Sequence, residues 1–353
     1  MTLFQPARDT LLTLALAWAA AQLCLYLQTP LPWMLGPLIS VSLVSVLGAP
    51  TRSWNPLRNA GQWVIGAALG LYFTPEVVQL ISGLWWAIAL GVAWALWMGW
   101  GFGRCLQVLN APHIPGLDRA TTYYAGAIGG ASEMTLLAER QHARTDLVAA
   151  AHSLRVLIVT VLVPFAMQWG GWGQVDILPP PVREVQASGL LLMGALTLLG
   201  VGAMLWLQRA NPWFMGALLV SMGLTMSSVS LSAIPVGLSN AAQLCIGVSL
   251  GVRFNTSFIH AAPRWLISVA VGSLLMIALC AGFAWVLQWT THMPWPTLVL
   301  GTAPGGIAEM AITAKVLHLG VPVVTAFQVC RLVAVLVLVN PLYHWLYLRR
   351  PAR

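Results

Sequence analysis

Long apolar stretches separated by short polar segments run along almost the whole chain of 353 residues. About 20 apolar residues are enough for an α-helix to cross the hydrocarbon core of a bilayer, so the pattern predicts a series of membrane helices. The predicted elements of the first half are residues 10–28, 31–49, 57–74, 78–103, 120–140 and 146–168. Those of the second half are residues 187–208, 212–230, 238–254, 264–289, 296–317 and 321–347. No polar stretch is long enough for a separate soluble domain, and we therefore expect one integral membrane domain.

The fifth element of each half is interrupted by glycine and polar residues. The segments AGAIGGASEMTLLA, Ala125–Ala138, and GTAPGGIAEMAITA, Gly301–Ala314, each contain a Gly-Gly pair followed by Glu-Met. Backbone that leaves the helical conformation at membrane depth is tolerated only where it is buried in protein or lines a water-filled cavity. We therefore predict a broken or re-entrant segment around each pair, where glycine allows close approach of a ligand or another backbone. The four glycines are Gly129, Gly130, Gly305 and Gly306.

Three blocks of sequence recur in the same order, which indicates an internal duplication. PWMLGPL matches PWFMGAL, and LRNAGQWVIGAALGLYF matches LSNAAQLCIGVSLGVRF. The third block is the Gly-Gly segment itself, and the three offsets are 180, 181 and 176 residues. The matches predict an N-terminal repeat over residues 1–170 and a C-terminal repeat over residues 187–353, joined by a linker at about 171–186.

Composition and charge support a membrane protein and predict its topology. The chain is 59% hydrophobic and 7% charged, whereas soluble domains carry about 25% charged residues. The net charge of +8 comes from single Lys and Arg residues scattered between apolar stretches. This distribution is explained better by the excess of basic residues in cytoplasmic loops of membrane proteins than by a nucleic-acid partner. If every element crosses, nine Lys and Arg lie inside and six outside; if each fifth element returns to its own side, thirteen lie inside and only Arg183 and Lys315 outside. We therefore predict ten transmembrane helices in two inverted five-helix repeats, with both termini cytoplasmic.

Four charged residues inside these apolar elements are the main candidates for function. Glu133 and Glu309 follow the Gly-Gly pairs and are candidate ligands for a proton or cation. An acidic residue in the first turn also stabilises a helix N-terminus, so capping stays an alternative. Arg155 and Arg331 lie well inside apolar runs, where an arginine is costly unless it is paired or hydrated. We consider an ion pair with one of the glutamates, binding of an anionic substrate group, and snorkelling to an interface.

Further polar residues occupy matching positions of the two repeats. One pair lies three residues before the two arginines, on the same helix face, and we expect these side chains to form hydrogen bonds. Two other pairs lie three residues apart on matching helices, where they either hydrogen-bond between helices or line a cavity. The matched residues are His152 and Gln328, Asn59 and Asn240, and Gln62 and Gln243.

The sequence lacks the usual signals of a metal site, a disulfide framework or an ATP-hydrolysing domain. The five cysteines form no CxxC motif, the seven histidines form no HxxxH or HxxEH pair, and there is no GxxxxGK[ST] loop. We therefore expect no metal, no cofactor and no enzymatic activity.

The GGASEM and PGGIAEM motifs, each followed about 20 residues later by an arginine in an apolar helix, resemble the duplicated AbrB-type bacterial membrane protein family. Both repeats match, so the resemblance covers nearly the whole chain. It implies a multi-pass protein of the bacterial inner membrane. Members of this family are often labelled ammonia monooxygenases or regulators of gene expression, and these labels say little about mechanism.

Three functions are considered on these grounds. The favoured one is a secondary transporter or exporter of a small polar or anionic solute, coupled to protons or sodium, because inverted repeats with broken helices are typical of such carriers. The second is a membrane protein that regulates gene expression without transport, and the third a membrane monooxygenase. The expected partners are a small solute or ion and the lipid bilayer, and a homo-oligomer is left open.

Overall fold

The computed structural model describes residues 5–173, 183–229, 231–254 and 263–348, and these residues form helices and no strand. The helices, in chain order, are α1 (Gln5–Tyr26), α2 (Pro32–Val46), α3 (Asn55–Gly70), α4 (Pro75–Gly83), α5 (Trp85–Asn110), α6 (Arg119–Gly126), α7 (Ala131–Glu139), α8 (Thr145–Trp169), α9 (Ala187–Trp206), α10 (Pro212–Met226), α11 (Val236–Gly251), α12 (Pro263–Thr291), α13 (Trp295–Thr302), α14 (Ile307–Leu317) and α15 (Val321–Tyr343). A π-helical turn, His344–Leu348, follows α15.

By length and apolar composition, six of the described helices can cross a membrane: α1, α5, α8, α9, α12 and α15. Together α3 and α4 form a further candidate, which is bent by 87° between the two helices. The apolar helices α2, α10 and α11 contain 15 or 16 residues and fall short of a full span. The prediction of an all-helical membrane protein is confirmed.

The fourth predicted element, residues 78–103, has different bounds in the structure. A short helix, α4, ends at Gly83, and α5 begins at Trp85 and continues to Asn110. Leu84 between them has φ −97° and ψ 9°, outside the helical conformation. Apolar residues continue on both sides of this break, so hydrophobicity alone does not reveal it.

Each predicted fifth element is interrupted at its Gly-Gly pair. In the first half the chain leaves the helical conformation between α6 and α7, at residues 127–130, and in the second half between α13 and α14, at residues 303–306. These two segments are called break 1 and break 2.

The helices pack into two compact units, and each unit draws on both halves of the sequence. The first contains α1 to α4, the end of α8 from Pro164, α9 to α11, and the end of α14 from Ala311. The second contains α5 to α7, α8 up to Val163, α12, α13, the start of α14, and α15 from Val323. Both breaks therefore belong to the second unit.

Glycines let helices from the two halves approach closely in the first unit. A Cβ atom added at Gly66 on α3 would clash with the carbonyl oxygen of Phe214 on α10. A Cβ atom added at Gly247 on α11 would lie 2.5 Å from the carbonyl oxygen of Met34 on α2. Gly66 matches Gly247 and Met34 matches Phe214 in the sequence repeat, so the same contact is made twice with the repeats exchanged. The absence of a side chain at these two glycines therefore permits close packing of the helices.

Candidate functional site

The helix that precedes each break ends in the same way. Ala127 follows α6 with φ −55° and ψ 139°, and Ala303 follows α13 with φ −55° and ψ 141°. Because the chain is extended beyond these residues, the last carbonyl groups of each helix lack the amide donors that a continuing helix would supply. Each break therefore brings the carbonyl end of one short helix and the amide end of the next into one short segment.

Arg155 on α8 binds the free carbonyl groups of break 1. Its Nη2 donates to the Ala127 oxygen at 2.9 Å, and its Nη1 donates to the oxygens of Gly126 at 3.3 Å and Ala125 at 3.4 Å. The side chain is 1% exposed. Among the described residues its remaining polar contact is His152, and the ion pair with Glu133 considered above is not formed.

Arg331 on α15 binds break 2 in the corresponding manner. Its Nη1 donates to the Ala303 oxygen at 2.6 Å and its Nη2 to the Gly305 oxygen at 2.8 Å. Ala303 is the repeat equivalent of Ala127, so both arginines hold the same position of the break. Arg331 is 6% exposed.

The electrostatics of this arrangement favour cations at the carbonyl ends and anions nearby. The negative end of a helix dipole attracts a cation by about 0.3–1 kcal/mol, and by up to about 2 kcal/mol where partly buried. The Nε atoms of Arg155 and Arg331 are both buried and have no hydrogen-bond partner among the described residues. Each break thus retains positive charge and one unused donor.

His152 and Gln328 form the hydrogen bonds that their spacing predicted. The His152 Nε2 lies 2.9 Å from the Tyr124 oxygen, and its Nδ1 lies 2.8 Å from Nη2 of Arg155. Because a carbonyl oxygen only accepts and a guanidinium only donates, the ring is neutral with its proton on Nε2. The Gln328 Nε2 donates to the oxygen of Leu300, the equivalent of Tyr124, at 2.7 Å. A histidine and a glutamine therefore hold the equivalent carbonyl group in the two repeats, and His152 in addition accepts from its arginine.

Glu133 and Glu309 are the third residues of α7 and α14. The Glu133 carboxylate folds back against Gly130, and the Glu309 carboxylate folds back against Gly306. An acidic side chain in the first turn interacts favourably with the positive end of the helix dipole. Glu309 is 8% exposed, whereas Glu133 is partly exposed. Both carboxylates therefore lie where capping would place them, beside the breaks.

The predicted Asn and Gln residues lie in the first unit, on α3 and α11. Asn240 and Gln243 line a cavity of about 350 Å³. Asn59 accepts a hydrogen bond from its neighbour Arg58 at 3.4 Å, and neither Asn59 nor Gln62 lines that cavity. The candidate residues thus divide into a group at the breaks and a group in the first unit.

Two tyrosines that the sequence did not single out join α6 to the other half. The Tyr123 hydroxyl donates to the Val339 oxygen at 2.8 Å, and the Tyr124 hydroxyl lies 2.9 Å from Oδ1 of Asn340. Asn340 belongs to α15, the helix that carries Arg331. The only signal in the sequence was their place in an apolar element just before a Gly-Gly pair.

This chain, with its paired breaks and buried arginines, matches the model of a known protein family. A family model described as "Transition state regulatory protein AbrB" matches residues 33–347. The chain belongs to the AbrB family. Two relatives are each 26% identical to it: "Uncharacterized protein YhjN" of Bacillus subtilis (strain 168), over 89% of this chain and 87% of the relative, and "Putative regulator AbrB" of Escherichia coli (strain K12), over 88% and 89%. The family predicted from the two Gly-Gly motifs is confirmed.

No group of three or more His, Cys, Asp or Glu side chains that could hold a metal ion occurs in the part of this AbrB-family chain that the structure describes. The histidine nearest to a break, His152, uses both ring nitrogens in hydrogen bonds to protein atoms. The polar chemistry at the breaks therefore comes from arginine, glutamate and backbone groups.

Proposed function

We propose that this AbrB-family protein is a secondary transporter or exporter, not an enzyme, for a small polar or anionic solute, coupled to protons or sodium. One observation carries the proposal: the same unit contains two matched broken helices, and a buried arginine donates hydrogen bonds to the carbonyl groups at each break. Broken helices whose ends face a site near the bilayer midplane are the means by which many secondary transporters bind substrates and ions.

The ends of the broken helices supply both kinds of ligand that coupled transport needs. The amide ends of α7 and α14 and the two guanidinium groups attract a negatively charged solute group. Glu133 and Glu309, beside those helix ends, are the proposed sites for the coupling proton or cation. Arg155 and Arg331 then act in two ways, as positioning residues for the breaks and as the source of positive charge.

The contacts in the first unit support two inverted five-helix repeats. In this proposal the six long described helices cross the membrane, and so do the four shorter apolar helices α2, α3, α10 and α11 although each is shorter than a full span. The protein then has ten crossings, and each break returns to the side from which it came. The exchange of the Gly66 and Gly247 contacts between repeats is what a duplication with two-fold related repeats would produce, and the inverted orientation rests on the distribution of basic residues. With the distribution of Lys and Arg, this supports a bacterial inner-membrane protein with both termini cytoplasmic.

A flux assay in proteoliposomes tests the proposal. Uptake of a panel of small radiolabelled carboxylates and amino compounds is measured under an imposed proton or sodium gradient. We expect Arg331→Gln and Glu309→Gln to lower gradient-driven uptake at least about 10-fold, because each removes a charge-assisted contact worth about 1.5–3 kcal/mol. Arg140→Gln, an exposed charge after α7, is the matched control and should transport normally.

The transport assignment is wrong if wild type moves no member of the panel under either gradient. It is also wrong if Arg331→Gln and Glu309→Gln transport as well as wild type.

A second candidate is regulation of gene expression without transport, which the name of the Escherichia coli relative favours. The Glu309→Gln variant distinguishes regulation without transport from regulation that follows from transport. If a deletion strain changes its transcript profile and Glu309→Gln restores it fully while being inactive in transport, regulation does not depend on flux.

A further inference from the structure

The first unit contains a cationic cavity that the proposed transport mechanism does not use. It is bounded by the end of α3, by α11, by the end of α14 and by the segment that precedes α9. The polar residues that line it are Tyr72, Arg183, Ser239, Asn240, Gln243, Lys315 and His318. Its volume of about 350 Å³ lies within the range of small-molecule sites, about 300–1,000 Å³.

Two cations face this cavity, and none of its described lining residues is acidic. Arg183 and Lys315 both line it, and no Asp or Glu occurs among its described lining residues. Burial lowers the pKa of both side chains from their usual values. An anion in the cavity would offset this unfavourable burial of positive charge.

Hydrogen-bond donors are also left over in the cavity. The Arg183 Nη1 is buried and has no partner among the described residues. The Lys315 ammonium group donates to Ser239 Oγ at 3.2 Å, which uses one of its three protons. Gln243 is 5% exposed, and the described residues supply no hydrogen bond to its amide. Guanidinium, ammonium and amide donors together are suited to an oxyanion.

The remaining wall of the cavity is apolar. It consists of the side chains of Ala68, Leu71, Ala233, Ile234, Val236 and Val316. A hydrated inorganic ion makes no use of such a wall, whereas the carbon skeleton of an organic acid would bury against it. The combination therefore selects an organic carboxylate over phosphate or chloride.

The two cations of this cavity have no basic equivalents in the first repeat. The residue equivalent to Lys315 in the first repeat is Glu139, which carries the opposite charge. Arg183 lies in the linker and has no repeat equivalent. Duplication alone therefore does not explain why these two cations share one cavity.

We propose that this cavity binds a small organic carboxylate through Arg183 and Lys315, with Asn240 and Gln243 as supporting hydrogen-bond donors. The site does not rest on the proposed transport. In the predicted topology, Arg183 and Lys315 are the two basic residues on the outer side of the membrane, so the site faces that side.

Equilibrium binding of glutarate tests this site in the full-length protein in nonionic detergent. Glutarate, phosphate and chloride are compared at equal ionic strength by isothermal titration calorimetry and by the shift of the thermal unfolding midpoint. We expect glutarate to bind and to raise the midpoint above that in chloride. Arg183→Gln and Lys315→Gln should each raise the Kd for glutarate about 10- to 100-fold, the loss expected for one charge-assisted hydrogen bond. Lys315→Arg should restore binding because it keeps the charge.

The matched control is Arg209→Gln, which removes an exposed positive charge of the same unit outside the cavity and should leave the Kd unchanged. The unfolding midpoint without ligand shows whether each variant is folded. The proposal is overturned if wild type binds glutarate no better than chloride, if phosphate binds as well as glutarate, or if both glutamine variants keep the wild-type Kd. Because the assay measures no flux, its result is independent of the outcome for Arg331→Gln and Glu309→Gln in transport.

Discussion

Replacement of Gly247 by alanine tests whether the two repeats are held together by backbone contact. The added Cβ would lie 2.5 Å from the carbonyl oxygen of Met34, whereas an ordinary contact begins at 3.4 Å. The helices α2 and α11 must therefore separate by roughly 0.9 Å at this point, the difference of those two distances. The contacting atom belongs to the backbone and cannot rotate away as a side chain would.

Two opposing effects determine how much Gly247→Ala changes the free energy of unfolding. Overpacking of a closely packed contact destabilises by about 1–3 kcal/mol. Alanine is also a better helix former than glycine by about 0.5–1 kcal/mol, which offsets part of this loss. We expect Gly247→Ala to lower the free energy of unfolding by about 0.5–2 kcal/mol, and Gly66→Ala to do the same at the equivalent contact.

Gly202 on α9 provides the matched control. It lies in the same unit, in a helix, and an added Cβ would meet nothing within 4 Å. Gly202→Ala should therefore stabilise the protein by about 0.5–1 kcal/mol through helix propensity alone.

The assay is equilibrium unfolding in mixed micelles of a nonionic detergent and dodecyl sulfate, followed by tryptophan fluorescence. The difference between the Gly247→Ala and Gly202→Ala variants removes the propensity effect and leaves the effect of the clash. A difference near zero, with Gly247→Ala as stabilising as Gly202→Ala, would refute the close contact. Gly247 also lies one helical turn after Gln243 on α11, so a real separation should weaken glutarate binding as well.

Two further predictions concern the breaks and the topology. His152→Gln should unfold at nearly the wild-type temperature and transport with an unchanged pH profile, because Gln328 already donates to the equivalent carbonyl group in the other repeat. His152→Ala should lose about 1–3 kcal/mol of stability, since the Tyr124 carbonyl then lacks a donor. A changed pH profile in His152→Gln would instead indicate a proton relay. The topology is tested with single cysteines in a background without native cysteines and a membrane-impermeant thiol reagent. Arg140→Cys should react only from the cytoplasmic side, and Lys315→Cys only from the outside. Labelling of both from one side would contradict the inverted repeats.

The breaks could be predicted because their signal is local. Gly-Gly followed by Glu interrupts an apolar helix at a definite place, and the second copy shows that the interruption is not accidental. The boundary between α4 and α5 could not be predicted in this way, because Leu84 and Trp85 continue the apolar run across it.

The partners of the buried arginines could not be predicted either. The sequence shows that Arg155 and Arg331 need partners, and it leaves a glutamate, an anionic substrate group and the membrane interface as alternatives. In the structure their partners are carbonyl groups of the breaks. Every residue carries a carbonyl group, so nothing in the sequence marks the few that a break leaves without a donor.

The sequence by itself determined the membrane class, the positions of the two interruptions and the matching of residues between halves, because hydrophobic length, glycine and repetition act within short segments. Only the tertiary structure decided that Arg155 and Arg331 hold backbone carbonyls, that helices of both halves share each unit, and that Arg183 and Lys315 line one cavity with Asn240 and Gln243. These facts depend on contacts between residues far apart in the chain, which packing decides and local pattern does not.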